Sequence, residues 1–267
     1  MMCAMSAALV LAGVSLAPAL ASPCGVTLEV AANIMALEAA LLEATVIFFD
    51  LDETLVMPRT TFIYGLPRTD MFLKQMNPCF SKAFEELDLG RKMEEEYYHA
   101  PLALVHSKLP STIKALHSRG ASVYGLTSRS AEDRNYSWHN QIVLDFLFQN
   151  GIVFSKSLTS DTGVFFAGDE KIQHGHNKVM KRSGKAKIID KVMRNRTYME
   201  GACMKSFLVD NTMAKIEAAM EQSETTVSGV FYTEAWLKQS SLEDMRAWFC
   251  KVVSCDECTN DSRAAEM

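Results

Sequence analysis

Four short runs of β-branched and aromatic residues, at 45–49, 121–126, 206–209 and 227–232, punctuate a chain patterned elsewhere for helices. Unbroken apolar runs of that length suit strands buried on both faces, as in a parallel sheet. A helix opened by Pro110 and Ser111 and closed by Gly120 precedes the second run. An Ala- and Met-rich helix over 212–222 follows the third, and a helical pattern over 242–252 follows the fourth. Strands alternating with helices make βαβ units. The expectation is an α/β fold of three layers on an open parallel sheet, with ligand chemistry at the carboxyl ends of its strands.

Two segments break the rhythm, and a third precedes it. Residues 58–108, between the first two strands, are mostly polar and helical, and a stretch so long exceeds what a βα turn needs. They read as an inserted helical cap. Residues 151–177 hold two β-like pieces, 151–154 and 163–167, separated by Ser, Thr, Asp and Gly, which predicts a hairpin or small strand pair beside the sheet. Residues 26–44 have helical spacing and predict one amphipathic helix. The predicted organisation is a core from 22–57 and 109–254, a cap over 58–108 and a tail over 255–267.

Residues 1–21 carry no charge, and an apolar, small-residue run ends in Ala19-Leu-Ala21. That pattern predicts an export signal cleaved after Ala21, although no Lys or Arg stands near Met1. The alternative, a buried or membrane-anchoring helix, fits less well: the run contains Pro18 and is short for a span of roughly 20 residues. The mature chain is expected to be soluble, periplasmic or secreted, without a membrane partner. Cleavage would remove Cys3 and leave Cys24, Cys79, Cys203, Cys250, Cys255 and Cys258, enough for up to three disulfides. Cys255-x-x-Cys258 with His174 and His176 is the competing zinc reading. A disulfide among the last three cysteines is favoured, because the second paired spacing of a zinc site is missing. With 48% hydrophobic and 22% charged residues among 267, the chain is an ordinary globular protein. Its net charge of −5 argues against a broad grip on nucleic acid.

The stretch Val46-Ile-Phe-Phe-Asp50-Leu-Asp52-Glu-Thr54 carries the chemistry. A buried strand delivers two carboxylates, two residues apart, where the chain leaves the sheet. Carboxylates so close repel and need a cation or a shared proton; a hard divalent ion such as magnesium meets that need. Asp50 could then attack an electrophile while Asp52 handles the proton.

A hydrophobic strand followed by D-x-D-x-T resembles the first motif of the haloacid dehalogenase superfamily of phosphatases and phosphotransferases. The resemblance implies a Rossmann-like core, Asp50 as the nucleophile of an aspartyl-phosphate, and Asp52 as the acid and base. It also implies Mg2+ held by Asp50 and the main-chain carbonyl of Asp52. The second motif, a strand ending in Ser or Thr, is matched by Val123-Tyr-Gly-Leu-Thr127-Ser128-Arg129. Thr127, before Ser128, is the favoured phosphate ligand; Arg129 could reach the rest of the substrate or form a surface salt bridge. The third motif is a Lys near a helix start, and Lys185, just after Ser183-Gly184, is preferred over Lys178. The fourth is matched by Phe207-Leu-Val-Asp210-Asn211. Asp210 would complete the metal shell, and Asn211 stands where many relatives carry a second acid.

The reading that follows is a magnesium-dependent phosphohydrolase acting on a small phosphomonoester. A transferase of the same superfamily, or a catalytically weak binding or effector protein with the same fold, is the alternative. Phe62, Tyr64, Phe72, Tyr97 and Tyr98 line a pocket or, for most of them, fill the cap's core. Trp138 and His139 follow the second motif's helix start, near enough to approach a substrate.

Overall fold

The computed structural model describes residues 25–60, 89–130, 137–168, 183–200, 204–238, 240–241, 243–245 and 247. The predicted export signal, every cysteine, His174, His176, Lys178, Phe62, Tyr64, Phe72 and most of the predicted 242–252 helix lie outside them. In chain order the elements begin with β1 (Leu28–Ala31), α1 (Ile34–Ala40), β2 (Val46–Phe49), β3 (Val56–Pro58) and α2 (Leu89–His99). Next come β4 (Leu102–Leu104), α3 (Leu109–Ser118), β5 (Ser122–Thr127), α4 (Ser137–Gln149) and β6 (Val164–Phe166). The remainder are α5 (Gly184–Glu200), β7 (Ser206–Asp210), α6 (Met213–Gln222), β8 (Ser228–Tyr232) and a 3-10 turn, Glu234–Lys238.

Six strands form one sheet in the order β1-β8-β7-β2-β5-β6, each neighbouring pair parallel. All four side chains of β2 are buried. Ile47 and Phe49 enter one core and Val46 and Phe48 the other, as the period of two demands. Leu37 of α1, Ile113 of α3 and Leu147 of α4 cover the first face; Ile189 and Met193 of α5 and Ile216 of α6 cover the second. Each such side chain contributes on the order of 1.5–3 kcal/mol by leaving water. The chain therefore has an α/β fold with helices on both faces. From β2 it runs outward to β5 and β6, then returns to the far side of β2 for β7 and β8. That reversal sets the carboxyl ends of β5, β2 and β7 side by side, the place where open α/β sheets take their ligands.

Two local expectations are corrected. Residues 26–44 are not one helix: β1 lies parallel to β8, and α1 begins only at Ile34. Asn33 enforces the break, its side-chain oxygen accepting the Met35 and Ala36 amides at 3.0 Å each. Strand pairing with β8 decides the preceding stretch against its helical spacing. The pieces 151–154 and 163–167 do not pair with each other either, as a hairpin or as a small strand pair. Val164–Phe166 joins β5 as a parallel edge strand, and the Ser155 amide bonds to Val123 O at 2.7 Å. Gly163, at φ 71°, passes so close to Ser155 that a Cβ would stand 2.3 Å from its carbonyl oxygen.

The inserted segment leaves and re-enters the core through an antiparallel stem, Val56 opposite Leu104 and Pro58 opposite Leu102, with α2 before the return strand. Val105 N donates to Leu55 O at 2.9 Å and ties the stem to the loop after β2. Among the described residues, no helix is long and apolar enough to cross a membrane.

Candidate active site

Asp50 is the first residue beyond β2, and its amide donates to Val209 O at 2.8 Å, which levels it with the end of β7. Asp210 ends β7, and its Oδ1 accepts the Thr212 amide at 2.8 Å, fixing the carboxylate's direction. Lys185, in the first turn of α5, reaches between them: Nζ lies 2.5 Å from Asp50 Oδ1 and 2.6 Å from Asp210 Oδ2. The lysine is only 1% exposed and Asp210 fully buried. Burial opposes the charge on Lys185, but Asp210 and Asp50 reverse that and raise its pKa. Burial pushes Asp50 up to about 7; Lys185 opposes the rise, and the charges of Asp210 and Asp52 add to it.

Gly184 is what lets Lys185 stand there. A Cβ on it would sit 2.6 Å from Ala167 O, so only glycine admits this approach of α5 to the end of β6. The Ser183 amide, donating to Gln222 Oε1 at 2.5 Å, anchors the same helix start to α6.

The loop after Asp50 folds back on itself, Leu55 and Val56 amides both donating to Leu51 O and Glu53 taking φ 55°. Asp52 points toward β5. Arg129 grips it twice, Nε to Oδ2 at 2.8 Å and a terminal nitrogen to Oδ1 at 2.6 Å, and Thr127 Oγ1 lies 3.4 Å from Oδ2. Burial would raise Asp52, but the guanidinium prevails and holds the carboxyl below its ordinary value. Thr127 Oγ1 also accepts the Arg129 amide at 3.2 Å. Of the two roles weighed for Arg129, substrate contact or salt bridge, the described arrangement is a salt bridge, and its partner is Asp52. Asn211 is nearly buried, and its Oδ1 accepts the Thr212 hydroxyl at 3.3 Å.

Glu53, to which the sequence assigned no part, joins the site, as do Tyr97, read as a pocket or cap-core residue, and His139, read as able to approach a substrate. The Tyr97 hydroxyl of α2 donates to Glu53 Oε1 at 2.6 Å. Burial, then the charge of Asp52, pushes Glu53 up to about 8. The signal for Glu53 was its place inside the D-x-D-x-T stretch; for Tyr97, no local pattern tells a pocket residue from a core one. His139 Nδ1 lies 2.6 Å from Arg129. Its ring packs edge-on against Tyr98, centroids 4.9 Å apart.

Four acidic side chains, Asp50, Asp52, Glu53 and Asp210, thus share the site with two paired cations, Lys185 and Arg129, and feel the charge of a third, Lys215, which acts on Asp50, Asp52 and Glu53. Among the described residues, no three His, Cys, Asp or Glu side chains gather as a ready metal-binding group, since Lys185 stands between two of the acids. The donors that remain are carboxylate, amide and main-chain oxygens, the kind a hard divalent cation takes. Buried Thr54 Oγ1, Ser128 Oγ and His139 Nε2 have no hydrogen-bond partner among the described residues. Such orphans are rare in native proteins and are commonly met by a ligand or water.

The model of a family described as "Protein of unknown function (DUF2608)" matches residues 28–239, a span that contains every residue of this site. No curated protein matches the chain.

Proposed function

The chain belongs to the DUF2608 family, and from the chemistry of its strand-end site we propose that it is a phosphohydrolase of the haloacid dehalogenase type. It acts with magnesium on a small phosphomonoester, on a Rossmann-like core covered by the 58–108 insertion as a cap. One observation carries the reading: Lys185 Nζ bridges Asp50 Oδ1 and Asp210 Oδ2 at 2.5 and 2.6 Å, joining three segments distant in sequence. A salt bridge between two strand-end acids and a buried lysine serves stability poorly, because desolvating three charges is expensive. It serves phosphoryl transfer well, where position and charge compensation are most of what the protein supplies.

In this reading an Asp50 carboxylate oxygen attacks phosphorus, and the bond from phosphorus to the ester oxygen breaks. Asp52 gives that oxygen a proton and later takes one from the water that cleaves the aspartyl-phosphate, releasing inorganic phosphate. Asp52 must be protonated for the first step, so its pairing with Arg129 has to loosen when the anionic substrate draws the guanidinium away. Lys185 neutralises Asp50 and Asp210, and Thr127 and Ser128 offer hydroxyls to phosphate oxygens. Asp50, Asp210, Asn211 and the Asp52 carbonyl would hold the magnesium, whose chemistry is to neutralise and orient the phosphoryl oxygens. Export to the periplasm or beyond belongs to the same proposal and rests on residues 1–21.

The Arg129–Asp52 pair favours a second reading, a binding protein of the same fold with weak turnover, because it occupies the proposed acid. Hydrolysis of p-nitrophenyl phosphate by the parent and by Asp50→Asn, each with and without magnesium, separates the two. Metal-dependent turnover abolished by the substitution supports the enzyme; equal turnover in both rejects the nucleophile, and silence across a panel of esters favours the binding protein.

A further inference from the structure

We propose that His139 binds the alcohol half of the substrate, donating from Nε2–H to a hydroxyl oxygen, so that polyol phosphates are preferred over alkyl phosphates. The proposal deepens the phosphohydrolase reading and rests on it. The tautomer follows from the contacts: Arg129 can only donate, so Nδ1, 2.6 Å from its guanidinium nitrogen, accepts and the hydrogen sits on Nε2. Burial first, and then the neighbouring Arg129, push the pKa of His139 down to about 4, which keeps the ring neutral. The residue is 1% exposed, and its Nε2 has no acceptor among the described residues. A buried donor without an acceptor is destabilising, and persists where a ligand supplies the missing partner.

Position assigns the ligand's part. Lys185, Asp50 and Asp210 mark the phosphoryl end. Asp52, which protonates the departing oxygen, connects through Arg129 to His139 and so marks the alcohol end. The ring lies between the core helix α4 and the inserted helix α2, against Tyr98. The ring assigns the acceptor's type: Arg129 is already committed to Asp52, and the neutral imidazole brings no charge to meet a second anionic group, so a neutral hydroxyl oxygen is the acceptor that matches its N–H. A site that donates to a hydroxyl rejects the analogue lacking it, because the donor is again left unpaired.

Glycerol 3-phosphate and n-propyl phosphate differ by hydroxyl groups on the alcohol half. The parent should prefer the first by at least about tenfold in kcat/KM; His139→Phe should bring the ratio to near one, and His139→Gln, which keeps a donor, should restore part of it. The ratio does not depend on how much of a variant folds. No preference in the parent, or the same preference in His139→Phe, overturns the proposal and leaves His139 as packing for Tyr98. Calorimetric binding of the two esters to Asp50→Asn protein, with and without His139→Phe, reads the same preference without turnover. If the parent hydrolyses neither these esters nor any other of the panel, the phosphohydrolase reading fails by itself. A binding preference that depends on His139 still upholds the proposal, and no binding or no preference overturns it.

Discussion

Lys185 is the side chain on which the charge balance of the site turns, being, among the described residues, the ammonium that both Asp50 and Asp210 contact. Replacing it by Met keeps its length and removes its charge. Lys185→Met should abolish turnover and lower stability by about 3–5 kcal/mol, measured by urea denaturation, because two buried acids lose their partner. A second consequence concerns pH. Asp50 rises from 3.8 to about 7 and Glu53 from 4.5 to about 8, so between those values the folded chain binds protons that the unfolded chain has released. Stability must fall as pH rises through that window. His139, lowered from 6.5 to about 4, acts oppositely below 6.5, yet it is one group against two. Metal-free protein should therefore lose denaturation free energy from about pH 5 to pH 8, and Glu53→Gln should flatten the upper part of that curve. Asp50, Asp52, Thr127, Lys185 and Asp210 were legible in the sequence because each follows an apolar strand or starts a helix. Tyr97 and His139 were named as able to approach a pocket, but their partners were not legible: Glu53 stands 44 residues from Tyr97, and no periodic pattern aims the His139 ring at Arg129.

At the scale of elements, the lysine's position depends on how closely α5 approaches the end of β6. Gly184→Ala would place a methyl group 2.6 Å from Ala167 O. The helix must then shift, and kcat/KM should fall at least about tenfold while destabilisation stays near 1–3 kcal/mol. Wild-type kinetics in Gly184→Ala would show that the approach has no bearing on the site. The central strands were legible because uninterrupted apolar runs suit a doubly covered sheet. The edges were not. β1 has exposed Leu28 and Val30 beside a half-buried Glu29, a mixture that reads as a helix until β8 is there to pair with it. β6 is three residues long, and its parallel pairing is set by β5 and by the chain folding over at Gly163, neither of which is a periodic signal.

For the whole molecule, the order β1-β8-β7-β2-β5-β6 gathers acids from β2 and β7 and hydroxyls from β5 at one edge, and their shared charge links ligand binding to folding. An ion that binds only the folded chain stabilises it by about 2.7 kcal/mol at a hundred times its Kd. Magnesium should raise the melting temperature, and by more at pH 8 than at pH 6, because below about 7 protons compete with it for Asp50. An unchanged melting temperature at both pH values would contradict magnesium binding at these carboxylates. The central claim, that Asp50 is phosphorylated during turnover, is tested most directly by chemical trapping. Protein quenched in acid while hydrolysing a phosphomonoester is treated with hydroxylamine and its peptides are read by mass spectrometry. A hydroxamate at Asp50 that requires substrate, and is missing from Asp50→Asn, is the predicted result; sustained turnover with no hydroxamate at Asp50 would contradict it.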